Sequence, residues 1–363
     1  MDYACYSNAS ARALFICAES GLRPLLAVVF VFVVRGVAAQ SASPCDPHPA
    51  LRHVAVELSR GSAPPSASVL RDAVSKLSLV LPGVRVLFVE NDEPRIIEFL
   101  NTMQSQSDLP AYCERIDHEQ GSLVLAAPQL GSLQPIDPKS PVIRGHLAAG
   151  LTHPSVVIAM PSHRFLRFGL TRAELEQGVA LEFEVEPQAR VQLLAQGPGG
   201  PRPIAMTVVG NVGLKPLITG LPTPGPGASG VVTWLRAQAK RPALRRNRLL
   251  RDAANRHACH VCRSGELTHV VAGDDPPARI QEQGLVARRI GEVVARGQDE
   301  KAAFFALVDS PSHLMTLLER DFTDVGVGLA HDHQGRACVV VMLATFPRFI
   351  GRPSSSPRDR RRE

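Results

Sequence analysis

The last third of the chain places two histidines and a carboxylate on three separate segments. These segments are Leu267-Thr-His269, Ile290-Gly-Glu292 and Ser310-Pro-Ser-His313, and a glycine-rich run over 321–328 follows them. Polar residues on distant segments form one site only when a fold brings the segments together. We therefore expect residues 231–346 to hold the functional centre of the chain.

The size and composition of the chain support folded domains with apolar cores. It has 363 residues, of which 45% are hydrophobic, which is enough for two or three domains. The formal net charge is +6, but the arginines are concentrated in 236–263 and in 348–363, with few aromatic residues among them to stack on bases. We therefore expect no nucleic-acid partner.

An apolar run near the N-terminus indicates export. The run Pro24–Val34 follows Arg23, is too short to span a bilayer comfortably and leads into small residues around Ala39. This pattern is typical of a signal peptide over 1–39 that is cut near Ala39, and it predicts a secreted or periplasmic protein that is not integral to a membrane. The long stretch before the run and the charge of Arg35 leave an uncleaved membrane anchor as the alternative.

The cysteines agree with an exported protein, in which disulfides can form. The chain has seven cysteines, and five of them follow the predicted cleavage site. We expect Cys45 to pair with Cys113, and Cys338 to pair with either Cys259 or Cys262.

Hydrophobic spacing divides the remainder into α+β units. Residues 45–130 predict a small α/β or helical domain. Alternating apolar residues between regularly spaced turns predict an immunoglobulin-like antiparallel β-sandwich over 141–212, and these strands include 179–185. Proline and glycine dominate a predicted linker over 213–230, and a basic tail over 347–363 is predicted to be disordered.

The unit that begins at Val231 reads as helix, helix, site loop, helix, helix and hairpin. Its two first helices are joined across Pro242, and the site loop carries His269 and Glu292. The last four elements are predicted at 300–308, 310–318, 326–330 and 337–344.

This order of elements and motifs resembles the bacterial branch of the CAP superfamily, also called SCP-like: cysteine-rich secretory proteins, antigen 5 and pathogenesis-related proteins. The motifs that carry the resemblance are Trp234-Leu-Arg236, Leu250–Ala258, Leu267-Thr-His269, Arg279-Ile280 with Gly284, Gly291-Glu292, Ser310-Pro-Ser-His313 and Phe322–Ala330. They occur in the family's order over 231–346. The resemblance implies an α-β-α sandwich with a cleft of two histidines and two glutamates that can bind a divalent metal.

By motif position the resemblance implies that His269, His313 and Glu292 are metal ligands. Two imidazoles and one carboxylate suit Zn²⁺ and leave a position for water. The second acid stays open between Glu300 and Asp309. The sequence also departs from the family pattern, because Val follows Glu292 where the family has Asn, and Leu307 stands where the family has Trp.

The expected function is that of an exported, non-catalytic CAP-domain protein. Its cleft would bind a divalent metal such as zinc, or a lipid, peptide or cell-envelope ligand. The incomplete acid set and the lack of H-E-x-x-H and G-x-S-x-G motifs favour binding over turnover. The alternative is a metal-dependent hydrolase acting on a peptide or cell-envelope substrate. The segment His257–Cys262 is interpreted as part of a buried helix rather than as a second metal site.

Overall fold

The computed structural model describes residues 45–347 except for a set of short gaps. The gaps are 60–64, 67–68, 71–72, 74–76, 78–80, 82, 91, 211–215, 223–227 and 272. The predicted signal peptide, residues 348–363 of the basic tail, and residues 213–215 and 223–227 of the predicted linker lie outside the described residues. The expected mixed α+β class is confirmed. Of the helices in the described ranges, none is long and apolar enough to cross a membrane.

The first domain is α/β, with helices on both faces of one sheet. Its elements are β1 (Cys45–Asp46), α1 (Pro49–Leu58), β2 (Arg85–Val89), α2 (Glu93–Gln104), β3 (Ala111–His118) and β4 (Gly121–Ala127). The strand order is β1-β3-β4-β2. Alternate residues of β4 face opposite ways, so Leu123 and Leu125 pack with α1 while Val124 packs with α2. The expected disulfide Cys45–Cys113 joins β1 to β3.

The middle domain is built around an antiparallel sheet in the order β12-β11-β8-β9. Its elements are β5 (Gly131–Leu133), β6 (Val142–Ile143), β7 (Gly145–Leu147), β8 (Thr152–Ala159), β9 (Phe165–Gly169), α3 (Arg172–Gln177), β10 (Val179–Ala180), β11 (Arg190–Gly197) and β12 (Gly200–Val208). Short ladders pair β5 with β7 and β10 with β6. The immunoglobulin-like assignment stays a prediction.

The strand expected over 179–185 is wrong beyond its first two residues. Within this segment the ladder holds Val179 and Ala180, paired with Ile143 and Val142, and Leu181 adds one hydrogen bond from its N–H to the carbonyl oxygen of Pro141. The next partner in this register is Pro141, which has no N–H to donate and therefore ends the ladder. The apolar residues of this segment do alternate, but the neighbouring strand β6 has only two residues and offers no further backbone partners.

The C-terminal domain contains a sheet in the order β13-β15-β16-β14. Its elements are α4 (Ser229–Gln238), β13 (Arg245–Arg246), α5 (Arg248–Ser264), α6 (Pro276–Gln281), β14 (Arg289–Gly297), α7 (Glu300–Asp309), α8 (Pro311–Leu317), β15 (Asp324–His331) and β16 (Ala337–Thr345). The predicted hairpin is β15–β16. The predicted loop position of Glu292 is wrong, because β14 pairs with β16 along all its nine residues.

Helices cover both faces of this sheet, and the side chains of the central strand β16 pack against them on each face. Its residues Val339, Val341 and Leu343 belong to one apolar cluster with α4, α7 and α8, whereas Val340 and Met342 belong to another with α5. Nearly every residue of β16 is therefore buried, as its uninterrupted apolar sequence requires. The disulfide Cys262–Cys338 ties α5 to β16 and is one of the two expected pairings of Cys338.

The glycines of β15 explain how α5 lies on the sheet. A Cβ at Gly326 would overlap the backbone at Leu250 and Arg251, and a Cβ at Gly328 would overlap the backbone of Ala254. Because α5 packs its own backbone against the strand, only residues without side chains fit there. The glycine-rich run is thus a packing surface for α5, and it fixes the helix that carries His257.

Candidate functional site

Glu292 is the centre of a buried polar cluster. Its side chain projects from β14 and is 1% exposed. Its Oε1 accepts a hydrogen bond from Nδ1 of His269 at 2.9 Å, and its Oε2 accepts one from Nη2 of Arg279 at 2.7 Å. Both carboxylate oxygens are therefore occupied by side chains of this chain.

Arg279 holds the cluster together from the short helix α6. Its side chain is 1% exposed, and it donates to the carbonyl oxygens of His269 at 3.0 Å and of Asp274 at 2.6 Å. A planar guanidinium with several donors can bind a carboxylate and fix a loop at the same time. Arg279 thus ties the loop around His269 to Glu292. In the sequence Arg279 belongs to one of the motifs, but nothing there predicts its role.

His257 is a second residue that the sequence interpretation left out of the site. It lies on the apolar side of α5, fully buried, with Nε2 2.9 Å from the carbonyl oxygen of Thr268 and 3.7 Å from Oε1 of Glu292. Burial lowers the pKa of His257 below its ordinary value, although the Glu292 charge opposes this. A histidine within an apolar helical stripe was the signal in the sequence.

Glu292 stays ionised despite its burial. Burial alone would raise the pKa of this carboxyl group, but the hydrogen bond from His269 and the charge of Arg279 together lower it below the ordinary value. The net effect is a fixed negative charge that the Arg279 guanidinium neutralises and that the His269 ring meets through a hydrogen bond. A carboxylate held in this way orients the imidazole of His269 rather than accepting protons.

His313 lies at the start of α8, where Pro311 and Ser312 precede it. Its Nδ1 is buried and has no hydrogen-bond partner within the described residues. Burial, with a smaller contribution from the nearby His269, lowers the pKa of His313 to about 3, so the ring is neutral at physiological pH. A neutral imidazole with an unused nitrogen is able to accept a hydrogen bond or to bind a metal.

Asp309, one of the two acids considered for the second carboxylate, has a different partner. Its Oδ1 lies 2.9 Å from Nη1 of Arg190 and also accepts the backbone N–H of Leu217 at 3.0 Å. The other, Glu300, lies in the first turn of α7. Across the described residues, no group of three or more His, Cys, Asp and Glu side chains is arranged to hold a metal ion.

The structure therefore brings the predicted site residues together only in pairs. His269 and Glu292 are in direct contact, and His313 is close enough to His269 for its charge to matter. That Glu292 is a metal ligand stays a prediction; each of its oxygens accepts one hydrogen bond, from His269 or from Arg279. For His269, the carboxylate that binds Nδ1 fixes the ring and leaves Nε2 for a ligand.

Comparisons with known proteins return only distant structural similarities. No protein-family model and no curated protein matches the chain. Among solved structures, an outer surface protein from Borrelia burgdorferi is similar at 21% identity and a TM-score of 0.31, over 32% of this chain and 89% of that one.

Two further structures with such a similarity carry the family's name in their descriptions. An extracellular protein containing a SCP domain from Bacillus anthracis matches at 14% identity and a TM-score of 0.29, over 59% of this chain and 84% of that one. A cysteine-rich secretory protein from Staphylococcus aureus matches at 9% identity and a TM-score of 0.27, over 73% and 84%. At TM-scores this low, the similarities establish neither a shared overall fold nor a shared activity.

Proposed function

We propose that residues 231–346 form a CAP-like α-β-α domain of an exported protein that binds a ligand without turning it over. One observation carries this proposal: both oxygens of Glu292 are bound, one by His269 and one by Arg279. A general base needs a free lone pair within reach of a substrate proton. The Glu292 side chain is 1% exposed, so its remaining lone pairs lie out of reach of a substrate proton.

His269 and His313 are the residues that we propose to meet the ligand. His269 uses Nδ1 for Glu292, which leaves Nε2 for a ligand, and its side chain is 21% exposed. His313 contributes a buried nitrogen without a partner. These two groups would hold a divalent metal such as Zn²⁺, with Glu292 orienting His269 from behind. A bound metal would supply an attachment point for a lipid, peptide or cell-envelope ligand.

Titration calorimetry with Zn²⁺ tests this proposal on the full chain. We expect a saturable binding signal that is lost when His269→Ala and His313→Ala are combined. The matched control is His333→Ala, an exposed histidine in the turn between β15 and β16, which should leave the signal unchanged. A signal that survives the double substitution, or the lack of any signal in the unaltered chain, would contradict metal binding at these residues.

The second candidate is a metal-dependent hydrolase acting on a peptide or cell-envelope substrate. The contact between His269 and Glu292 favours it, because hydrolases often orient a histidine with a carboxylate. The discriminating experiment incubates the Zn²⁺-loaded chain with peptides and cell-wall fragments and follows cleavage by mass spectrometry. Cleavage that disappears in Glu292→Gln would support the hydrolase. Binding of the same compounds without cleavage would support the non-catalytic function.

Export is part of the proposal and has its own test. The disulfides Cys45–Cys113 and Cys262–Cys338 are cross-links of the kind that persist in oxidising compartments. We propose a secreted or periplasmic protein that begins after Ala39. Mass spectrometry of the mature N-terminus should find cleavage near that residue, and an N-terminus at Met1 would refute it.

A further inference from the structure

We infer that the β11–β12 hairpin of the middle domain is a positioning element of the candidate site. It binds the backbone of both histidine-bearing segments, 267–270 and 310–313, so the C-terminal domain alone does not build the site. Where ligand affinity is concerned, this inference rests on the proposed function. The contacts themselves are independent of any ligand.

The polar face of β11 is buried, which is unusual for a strand of alternating residues. Val191 and Leu193 point into the core of the middle domain. Arg190 and Gln192 point to the other side, yet each is only 1% exposed. The C-terminal domain covers them, and buried polar groups of this kind must find hydrogen-bond partners there.

Gln192 finds its partners in the segment that carries His313. Its Nε2 donates to Oγ of Ser310 at 3.1 Å, and its Oε1 accepts the backbone N–H of Ser312 at 2.9 Å. Ser310 and Ser312 are themselves buried. One amide side chain therefore fixes the turn between α7 and α8, immediately before His313.

Arg190 strengthens the same contact two residues earlier on β11. Its Nη1 donates to the backbone carbonyl oxygen of Asp309 at 2.6 Å and lies 2.9 Å from Oδ1 of the same residue. The carbonyl groups at the end of a helix have no partner within the helix, and a cation suits that end. Arg190 thus binds the last residue of α7 through both its backbone and its side chain.

The tip of the hairpin contacts the segment that carries His269. The carbonyl oxygen of Gly199 accepts the backbone N–H of His269 at 3.0 Å and Oγ1 of Thr268 at 2.8 Å. A Cβ at Gly199 would overlap Oγ1 of Thr268, and Gly200, with φ +100°, lies against the His269 side chain. The glycines at this tip allow the two backbones to approach.

These contacts place both histidine segments on one antiparallel ladder. β11 and β12 pair from Arg190 with Val208 to Gly197 with Gly200, with one irregularity after Leu193, and their backbone hydrogen bonds hold the turn that contains Gly199. His269 and His313 are distant in sequence, and the hairpin contacts the backbone beside each. Their relative position is therefore set partly by a domain that contains neither.

The inference can be tested on the full chain by amide hydrogen exchange, without any metal present. Gln192→Met keeps the volume of the side chain but removes the acceptor of the Ser312 N–H. We expect exchange in peptides covering 308–316 to rise roughly three- to tenfold, the factor given by losing one net hydrogen bond. The matched control is Gln196→Ala, an exposed glutamine on the same strand, which should leave these peptides unchanged.

A second variant tests the hairpin tip separately. Gly199→Ala should push Thr268 away and speed exchange in peptides covering 266–271, while Gly169→Ala adds the same methyl group in open space and should have no effect there. Unchanged exchange in both Gln192→Met and Gly199→Ala, relative to their controls, would overturn the inference.

Zn²⁺ titration of the same variants separates the two proposals. If the unaltered chain binds Zn²⁺, Gln192→Met and Gly199→Ala should weaken that binding, whereas the controls Gln196→Ala and Gly169→Ala should not. Zn²⁺ binding that neither Gln192→Met nor Gly199→Ala affects would overturn the positioning role. If the unaltered chain does not bind Zn²⁺, metal binding fails, and the exchange rates alone then decide whether the hairpin positions the two segments.

Discussion

Replacing Arg279 with methionine tests whether the buried ion pair organises the site. The Arg279–Glu292 contact joins two side chains that are each 1% exposed, at 2.7 Å. At an effective dielectric constant of about 20, this attraction amounts to about 6 kcal/mol, much of which offsets the cost of removing both charges from water. In Arg279→Met, Glu292 still bears the cost of being removed from water, but no positive charge compensates it. We expect the free energy of unfolding to fall by about 3–5 kcal/mol.

The assay is equilibrium unfolding in urea, followed by the fluorescence of Trp234. This is the only tryptophan in the chain and it packs against the core that α4, α7 and α8 share with the sheet, so it reports on the C-terminal domain. The control is Arg289→Met, the same substitution at an arginine on β14 that is 47% exposed and pairs with Glu319 and Asp321 at the surface. It should cost no more than about 1 kcal/mol.

A double substitution decides whether the charge of Glu292 is the cause. In Arg279→Met combined with Glu292→Gln the unpaired charge is absent, so the loss should be smaller than the sum of the two single losses by at least about 2 kcal/mol. Additive losses would refute the reasoning, because they would mean that the two side chains act independently. A loss in Arg279→Met no larger than that of Arg289→Met would refute it as well.

Three further predictions concern other parts of the fold. Gly328→Ala should lower the free energy of unfolding in urea by at least about 2 kcal/mol, because the new methyl group meets the backbone of α5. The control Gly230→Ala adds a methyl group in open space and should change the free energy of unfolding by less than about 1 kcal/mol. Equal effects of the two substitutions would contradict this packing. Removing the disulfide with Cys262→Ala and Cys338→Ala should cost about 2–5 kcal/mol in thermal unfolding, and an unchanged melting temperature would count against the cross-link. Burial lowers the pKa of His48 from 6.5 to about 4, so stability should be full above pH 6.5 and fall by about 1–2 kcal/mol towards about pH 5. In His48→Asn, which can still cap α1, the fall between the two pH values should be smaller by this amount, because only the contributions of His257 and His313 remain.

The helices and strands with regular spacing could be predicted from the sequence because burial on one face leaves a periodic pattern. The helix α5, the hairpin β15–β16 and the strand β4 all follow this rule. The strand β14 was missed, since glycine and charged residues interrupt its apolar pattern. It forms nevertheless because β16 supplies a complete set of backbone partners.

The candidate site shows the same division between local pattern and long-range contact. His269, Glu292 and His313 could be chosen as a group from motif order, and two of them do touch. Arg279 could not be recognised as the partner of Glu292, because nothing near Arg279 in the sequence indicates which carboxylate it meets. The roles of Gln192 and Arg190 could not be predicted either, since the polar residues of an alternating strand normally face water.

The sequence by itself determined the helices and strands with regular apolar spacing, and the motif residues His269, Glu292 and His313. Periodicity, glycine placement and motif order carry that information because they depend on each residue's immediate surroundings. Only the tertiary structure decided that Arg279 neutralises Glu292, and that Gln192 and Gly199 of another domain bind the segments around His313 and His269. Such contacts form between residues that are far apart in the sequence, and a local sequence pattern does not indicate which of these residues will meet.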